Sequence, residues 1–411
     1  MDNAKAILPT RKLYFEDVDL SEFEADVVER LTLDGAPAVV LDRTCFYPES
    51  GGQPWDRGTL GGAQVVKVVE EGDRVVHVLD REIPADRVRG RVDRDVRFDH
   101  MQQHTGQHIL SQAFIEELRG ETLSFHLGAE SATLEIGIGQ ISEADVRRVE
   151  RRANAVVFEN RPVKAYFVPP ERISEVPFRR PPKKEGVLRV VEVERFDHSA
   201  CGGTHCRSTG EVGLIKILRW ERIRGNLRFE FVCGGRALAD YEVKNAVVRD
   251  LAGRFNVRGA ELPGAVERIS AELKGMKKTA RGLEEALAVH EAREIAARAE
   301  GRVLRRVFRD RGPEAVRAIA LQVVKQGDFA ALFAGFSAER CHLVLARADG
   351  LALDLRTLVP AVALLVSGRG GGGPSLVEIA GSPEADVEAA LAKAAEMAES
   401  LLRPSPAGDH S

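Results

Sequence analysis

The sequence has 411 residues, of which 44% are hydrophobic and 30% are charged, and its formal net charge is −4. This composition excludes an intrinsically disordered chain and a disulfide-rich mini-protein. The longest apolar run, 361–366, is far shorter than the about 20 residues that a bilayer span needs, and the N-terminus lacks a signal-like apolar stretch, so we expect no membrane association. Five widely spaced cysteines indicate a reduced, cytoplasmic protein whose thiols bind metal rather than form bridges.

The first module is predicted to be an acidic β-barrel. Residues 1–95 carry 13 basic and 20 acidic side chains, whereas the remainder is mildly basic and is therefore the part expected to bind a polyanion. Short β-branched runs separated by glycine-rich turns predict a small barrel over 1–92. The predicted strands lie at 38–41, 64–69 and 74–79.

From residue 93 to 250 the pattern predicts an α+β domain. Ser142, followed three residues later by Asp145, is typical of the capping box that begins a helix. The predicted elements are helices over 99–118 and 142–159, a proline-rich hinge at 176–182 and two strands within 211–235.

A long helix is predicted over 262–298, within a linker at 251–311. Its apolar residues follow a 3,4 spacing, which fits either a coiled-coil seam that could form a homodimer or an ordinary amphipathic helix. The last module, 312–411, is predicted to be α/β, with a strand at 341–346, a glycine-rich loop and a closing helix at 383–402. The chain as a whole is predicted to have an α+β multidomain fold. The residues of the 3,4 pattern are Val266, Ile269, Leu273, Met276, Ala280, Leu283 and Leu287.

Two short motifs carry metal-binding side chains. His104 and His108 lie one helical turn apart, so both imidazoles can face one ion. Cys201 and His205 lie on a glycine-rich turn, where the backbone can approach a ligand closely. Three imidazoles and one thiolate form a donor set that suits Zn²⁺. Each motif alone is weak, and the first lacks the glutamate of the zinc metalloprotease motif.

Longer runs around these motifs resemble a known family. Residues 97–110 (RFDHMQQHTGQHIL) and 197–205 (DHSACGGTH) resemble the editing domain of alanyl-tRNA synthetase, and most closely its freestanding relatives, the AlaX proteins. The run at 46–58 (FYPESGGQPWDRG) is similar to the glycine-rich motif of their barrel domain. The loop at 368–374 (GRGGGGP), followed by Ala380 and Gly381, resembles the C-terminal domain of the synthetase.

This resemblance implies a zinc-dependent trans-editing hydrolase that cleaves serine, and in some members glycine, from wrongly charged tRNA(Ala). It carries over His104, His108, Cys201 and His205 as the metal ligands. The C-terminal domain of the family binds the outer corner of tRNA or mediates dimerisation. Because the resemblance begins at the barrel, we expect no ATP-dependent aminoacylation domain.

Several residues are predicted to contact the substrate. A hydroxyl at Thr105, beside the first ligand, could hydrogen-bond the serine side chain and so exclude alanine; ordinary back-bonding within the helix is the alternative. The family associates the glycine-rich barrel motif with the editing cleft, and a tight barrel turn is the alternative there. The barrel residues predicted to act in catalysis are Gly51, Gly52 and Gln53, and those predicted to line the substrate are Thr122, Ser124, His126, Gly202, Gly203 and Thr204.

Basic clusters outside the barrel predict contacts with tRNA phosphates, although each alone is usually a solvated face. The clusters are Arg147, Arg148, Arg151 and Arg152; Arg179, Arg180, Lys183 and Lys184; and Arg302, Arg305, Arg306, Arg309 and Arg311.

Two other functions remain open: a tRNA-binding or assembly protein whose zinc is purely structural, and a zinc amidase that acts on small molecules.

Overall fold

The computed structural model describes residues 9–182 and 185–403, so the predicted phosphate ligands Lys183 and Lys184 lie outside the described residues. The chain divides into two compact units, Met1–Leu251 and Ala252–Ser411. The finer division into four domains stays a prediction. Within the described part of the chain, no helix combines the length and apolarity that crossing a membrane requires.

The first unit begins with a closed barrel whose strands follow the order β2-β3-β7-β6-β5-β8. Strand β8 alternates exposed arginines with buried Val88, Gly90 and Val92. Position 90 has room only for glycine, because a Cβ there would lie 2.3 Å from the buried Phe23 ring. The strands are β1 (Arg11–Lys12), β2 (Glu22–Leu33), β3 (Ala36–Leu41), β4 (Arg43–Thr44), β5 (Gly58–Leu60), β6 (Ala63–Glu71), β7 (Arg74–Leu79) and β8 (Arg87–Val92).

An α+β region completes this unit. Two antiparallel sheets have the strand orders β14-β15-β10-β9 and β11-β12-β13. Helices α1 and α2 pack over the four-stranded sheet and share one apolar core with it. The elements are α1 (Arg94–Leu118), β9 (Thr122–Leu127), β10 (Ala132–Ile136), α2 (Glu143–Phe158), β11 (Val163–Val168), β12 (Leu188–Val193), β13 (Asp197–Ala200), β14 (Ile215–Ile223) and β15 (Asn226–Cys233).

The caps explain where these helices begin. Helix α1 begins five residues before the predicted start, because the Asp93 carboxylate accepts the N–H groups of Asp95 and Val96. Helix α2 begins at the capping box formed by Ser142 and Asp145, as predicted.

Helix α3 (Gly234–Phe255) spans the boundary between the two units. The second unit contains a five-stranded sheet in the order β16-β17-β18-β20-β19. One apolar cluster includes residues of α4 and α5, and a separate cluster includes residues of α6 and α7. Its elements are α4 (Leu262–Ala297), β16 (Val303–Phe308), α5 (Pro313–Val323), β17 (Ala330–Phe336), β18 (Cys341–Arg347), α6 (Val359–Leu365), β19 (Arg369–Gly372), β20 (Leu376–Gly381) and α7 (Val387–Leu402).

Candidate metal centre

The four predicted metal ligands converge on one point of the first unit. His104 and His108 project from α1, and Cys201 and His205 lie in the loop that follows β13. One potential ligand atom from each residue lies within 4.8 Å of all the others. The Cys201 Sγ atom is 3.4 Å from His104 Nε2 and 3.3 Å from His205 Nε2. Tetrahedral zinc, with Zn–N bonds of about 2.0 Å and Zn–S bonds of about 2.3 Å, needs N and S atoms about 3.5 Å apart, so the donor set fits zinc.

Gln53, from the barrel, orients the first histidine. Its side-chain oxygen lies 2.8 Å from His104 Nδ1 and also accepts the Thr204 N–H at 3.0 Å. Its amide nitrogen donates to Thr204 Oγ1 at 2.8 Å, which fixes the orientation of the amide. Because the oxygen can only accept, His104 carries its proton on Nδ1 and leaves Nε2 free for a metal.

The other two histidines are held in the same way. His108 Nδ1 lies 3.1 Å from Oδ2 of the fully buried Asp197. His205 Nδ1 lies 3.2 Å from Thr105 Oγ1, which also accepts the Cys206 N–H at 3.0 Å. Each Nδ1 therefore has a partner outside the cluster. The carboxylate can only accept, so His108 carries its proton on Nδ1 and leaves Nε2 available to the centre, whereas the Thr105 hydroxyl orients the His205 ring.

Burial and neighbouring groups shift the pKa values of three of the four predicted ligands. Burial lowers the pKa of the His108 imidazole, but its hydrogen bonds to Asp197 and Cys201 outweigh burial and raise that pKa. Burial raises the pKa of the Cys201 thiol, but the neighbouring His104 and His205 outweigh burial and hold that pKa well below its usual range. Burial, followed by the proximity of His104, lowers the pKa of His205 to about 3. A thiolate and a neutral imidazole are the protonation states that a metal requires of these ligands.

Gly203 allows the ligand loop to pack directly on α1. A Cβ at this position would lie 2.2 Å from His104 Cε1 and 2.8 Å from Gln53 Oε1. Gly202, by contrast, has no atom within 4 Å of a Cβ built there. The two predicted substrate residues therefore differ: Gly202 is exposed, whereas Gly203 is buried against a metal ligand.

The barrel loop that carries Gln53 contacts both strand β9 and the metal cluster. Gly51 and Gly52 have φ of +56° and +84°, which favours glycine at both positions of the turn. Gly52 O accepts the Leu127 N–H of β9 at 3.0 Å. The predicted catalytic residues Gly51, Gly52 and Gln53 thus form a turn that reaches the metal cluster through the Gln53 side chain.

Two family models match the chain. Threonyl and Alanyl tRNA synthetase second additional domain matches residues 188–229, which include Cys201 and His205, and tRNA synthetases class II (A) matches residues 17–96. Alanyl-tRNA editing protein AlaX-L from Pyrococcus horikoshii is 31% identical over 402 residues, covering 93% of this chain and 98% of that protein. The chain belongs to the AlaX-L family of alanyl-tRNA editing proteins. The resemblance inferred from the motifs is thereby confirmed.

Alanine–tRNA ligases are also relatives. The ligase from Methanoregula boonei is 33% identical over 94% of this chain, and that from Archaeoglobus fulgidus is 33% identical over 88%. The chain spans 43% and 41% of the lengths of these two ligases.

The structure does not place all the residues that were predicted to contact the substrate on one face of the sheet. An irregularity in the pairing of β9 with β10 sets Thr122 opposite Ile136 but Ser124 opposite Glu135. Thr122 therefore lies on the α1 side of the sheet, where its hydroxyl donates to Ser111 Oγ at 2.8 Å. Ser124 and His126 lie on the opposite face of the sheet from Thr122 and are exposed. That these three residues contact the substrate stays a prediction.

Thr105 and Thr204 are fully buried. Thr105 contacts the predicted ligand His205, whereas Thr204 contacts Gln53, which in turn holds His104. The Thr105 hydroxyl lies between His205 Nδ1 and the Cys206 N–H, so a substrate hydroxyl would compete with these two groups. Its predicted role in specificity stays a prediction. Asp197 was not predicted as a site residue, although it lies in the same sequence run as Cys201.

Three of the four arginines of α2 already have carboxylate partners. Arg147 pairs with Glu143, Arg148 with Glu117 and Arg152 with Glu116. Phosphates would have to compete with these carboxylates, so this face of α2 fits a solvated surface better than the predicted tRNA contact.

Proposed function

We propose that this chain hydrolyses the ester bond of tRNA(Ala) charged with serine, with glycine as the second candidate amino acid, and that it uses a bound Zn²⁺. Convergence of the Cys201 sulfur with one ring nitrogen from each of three histidines is the observation that carries this proposal. The names of the AlaX-L and alanine–tRNA ligase relatives support tRNA(Ala) as the RNA partner.

The residues around the centre would prepare it for hydrolysis. When bound, zinc supplies Lewis-acid chemistry, which polarises a carbonyl or makes water more acidic. Gln53, Asp197 and Thr105 hold the three Nδ1 atoms, so the ligands stay oriented without substrate. The exposed Gly202 leaves open backbone beside Cys201, where an acylated tRNA end could approach.

The direct test is deacylation of Ser-tRNA(Ala) by the full chain, with and without a zinc chelator. We expect chelation to abolish hydrolysis and added zinc to restore it. We also expect His108→Ala to lose at least about 100-fold in rate while retaining its circular dichroism spectrum, because a metal ligand is removed. Full activity of metal-free, folded protein would overturn the proposal.

A tRNA-binding or assembly protein with a structural zinc is the second candidate. Four protein ligands fill a tetrahedral shell, which is the usual arrangement of structural sites. In that case chelation would unfold the protein, and the loaded protein would bind tRNA(Ala) without deacylating it. Hydrolysis of small amides in place of the tRNA ester would instead identify the third candidate, an amidase.

We also propose that α4 mediates a homodimer. Its apolar residues at the 3,4 spacing lie along a helix of 36 residues and are about half exposed or more. A second copy of the same helix would cover this stripe.

A further inference from the structure

Arg179 lies behind the metal ligand His108, on the proline-rich segment at 176–182. Its side chain is 12% exposed, and its Nη1 donates to the His108 carbonyl oxygen at 2.9 Å. The same nitrogen lies 3.3 Å from Asp197 Oδ1. Its backbone N–H donates to His198 O at 2.9 Å, which places the segment alongside β13.

Asp197 depends on this arginine for its orientation. One carboxylate oxygen contacts His108 Nδ1, and the other contacts Arg179. Ser199 Oγ donates to the same carboxylate, at 3.0 Å from Oδ2. A fully buried carboxylate needs such partners, because an unpaired charge in the interior is costly. With both oxygens held, the carboxylate cannot rotate away from the imidazole.

Arg179 also joins two elements that carry the ligands. The His108 carbonyl belongs to α1, whereas Asp197 begins β13, which leads directly into the loop of Cys201 and His205. Each terminal nitrogen of a guanidinium carries two N–H groups, so Nη1 of Arg179 can hold the carbonyl and the carboxylate together.

We propose that Arg179 is a positioning residue for the metal centre, acting through Asp197 to orient His108 and through the His108 carbonyl to fix the distance between α1 and β13. This inference rests on the proposed metal-dependent function. The neighbouring Arg180 provides a matched control, because its Nη1 donates to Thr122 O on β9 at 3.1 Å.

The test compares Arg179→Met, Arg179→Lys and Arg180→Met in the full chain. Zinc affinity is measured by competition with a chelator, and ligand geometry by the visible spectrum of the cobalt-substituted protein. Loss of an outer-shell partner typically weakens metal affinity by about 10- to 100-fold, which we expect for Arg179→Met together with a changed cobalt spectrum. We expect Arg179→Lys to recover part of the affinity and Arg180→Met to match the wild type.

Equal affinity and identical spectra for Arg179→Met and Arg180→Met would overturn the inference. If Arg179→Met fails to fold, Arg179→Lys decides, since it keeps the charge but its side chain is one atom shorter and does not reach the position of Nη1: wild-type affinity and spectrum would then overturn the inference. A wild-type chain that binds no zinc would instead contradict the proposed function.

Discussion

At the scale of single residues, the centre depends on side chains that do not bind the metal themselves. An amide, a carboxylate and a hydroxyl each hold one histidine through Nδ1: Gln53 for His104, Asp197 for His108 and Thr105 for His205. Such partners fix the tautomer and the ring orientation, so their effects should appear as changes in metal affinity before they appear as changes in fold.

Gly203→Ala tests how tightly the ligand loop packs on His104. The added Cβ would lie 2.2 Å from His104 Cε1 and would displace either the ring or the loop. We expect zinc affinity, measured by chelator competition, to fall at least about 10-fold. Gly202→Ala is the matched control and should bind zinc normally, because its Cβ meets nothing within 4 Å. Equal affinities for the two variants would contradict this account of the loop.

At the scale of elements, the barrel and α1 are joined by a buried ion pair. Arg97 of α1 contacts the Asp56 carboxylate and donates to Cys45 O at 2.6 Å and to Val18 O at 2.9 Å. Asp56 also accepts the Tyr47 N–H at 2.6 Å. This pair holds the loop that carries Gln53 against the helix that carries His104.

Arg97→Met leaves the carboxylate of Asp56 buried without its cation. Removing one partner of a buried ion pair costs about 3–5 kcal/mol, so we expect a loss of that size in the free energy of unfolding measured with urea. Arg89→Met, which removes the exposed pair between Arg89 and Glu22, should unfold close to the wild type. A small, similar loss in both variants would show that the buried pair does not hold the loop.

At the scale of the whole molecule, the second unit carries a stripe of exposed apolar side chains along α4. The stripe on α4 includes Leu273 and Met276, which are 52% and 69% exposed, respectively. A helix of 36 residues is about 54 Å long, long enough for a stable seam of coiled-coil type.

We expect the full chain to sediment as a dimer and Met276→Glu to shift it toward the monomer, because a charge within the seam would have to be buried. Lys277→Gln is the control: it makes the charge more negative by one unit, as Met276→Glu does, at the adjacent residue, which lies outside the 3,4 pattern. The dimer proposal fails if the wild type sediments as a monomer at micromolar concentration, or if both variants dissociate equally.

Local sequence determined much of the centre. The i, i+4 spacing places His104 and His108 on one face of α1, the capping box begins α2, and the donor types favour zinc before any contact is known. These features depend on residues a few positions apart, for which helical periodicity and capping chemistry decide the geometry. The motif runs also identified the family, which the AlaX-L match confirms.

Only the tertiary structure decided which residues support the ligands. His104 meets Gln53 across 51 residues, and His108 meets Asp197 across 89 residues. Thr122 lies on the opposite face from Ser124 because of an irregularity in strand pairing that no periodic pattern predicts. Contacts at such separations follow from how loops close and surfaces pack, and many chain segments could supply an amide, a carboxylate or a guanidinium. Spacing along the chain therefore selected the four metal ligands, whereas packing selected the residues that hold them.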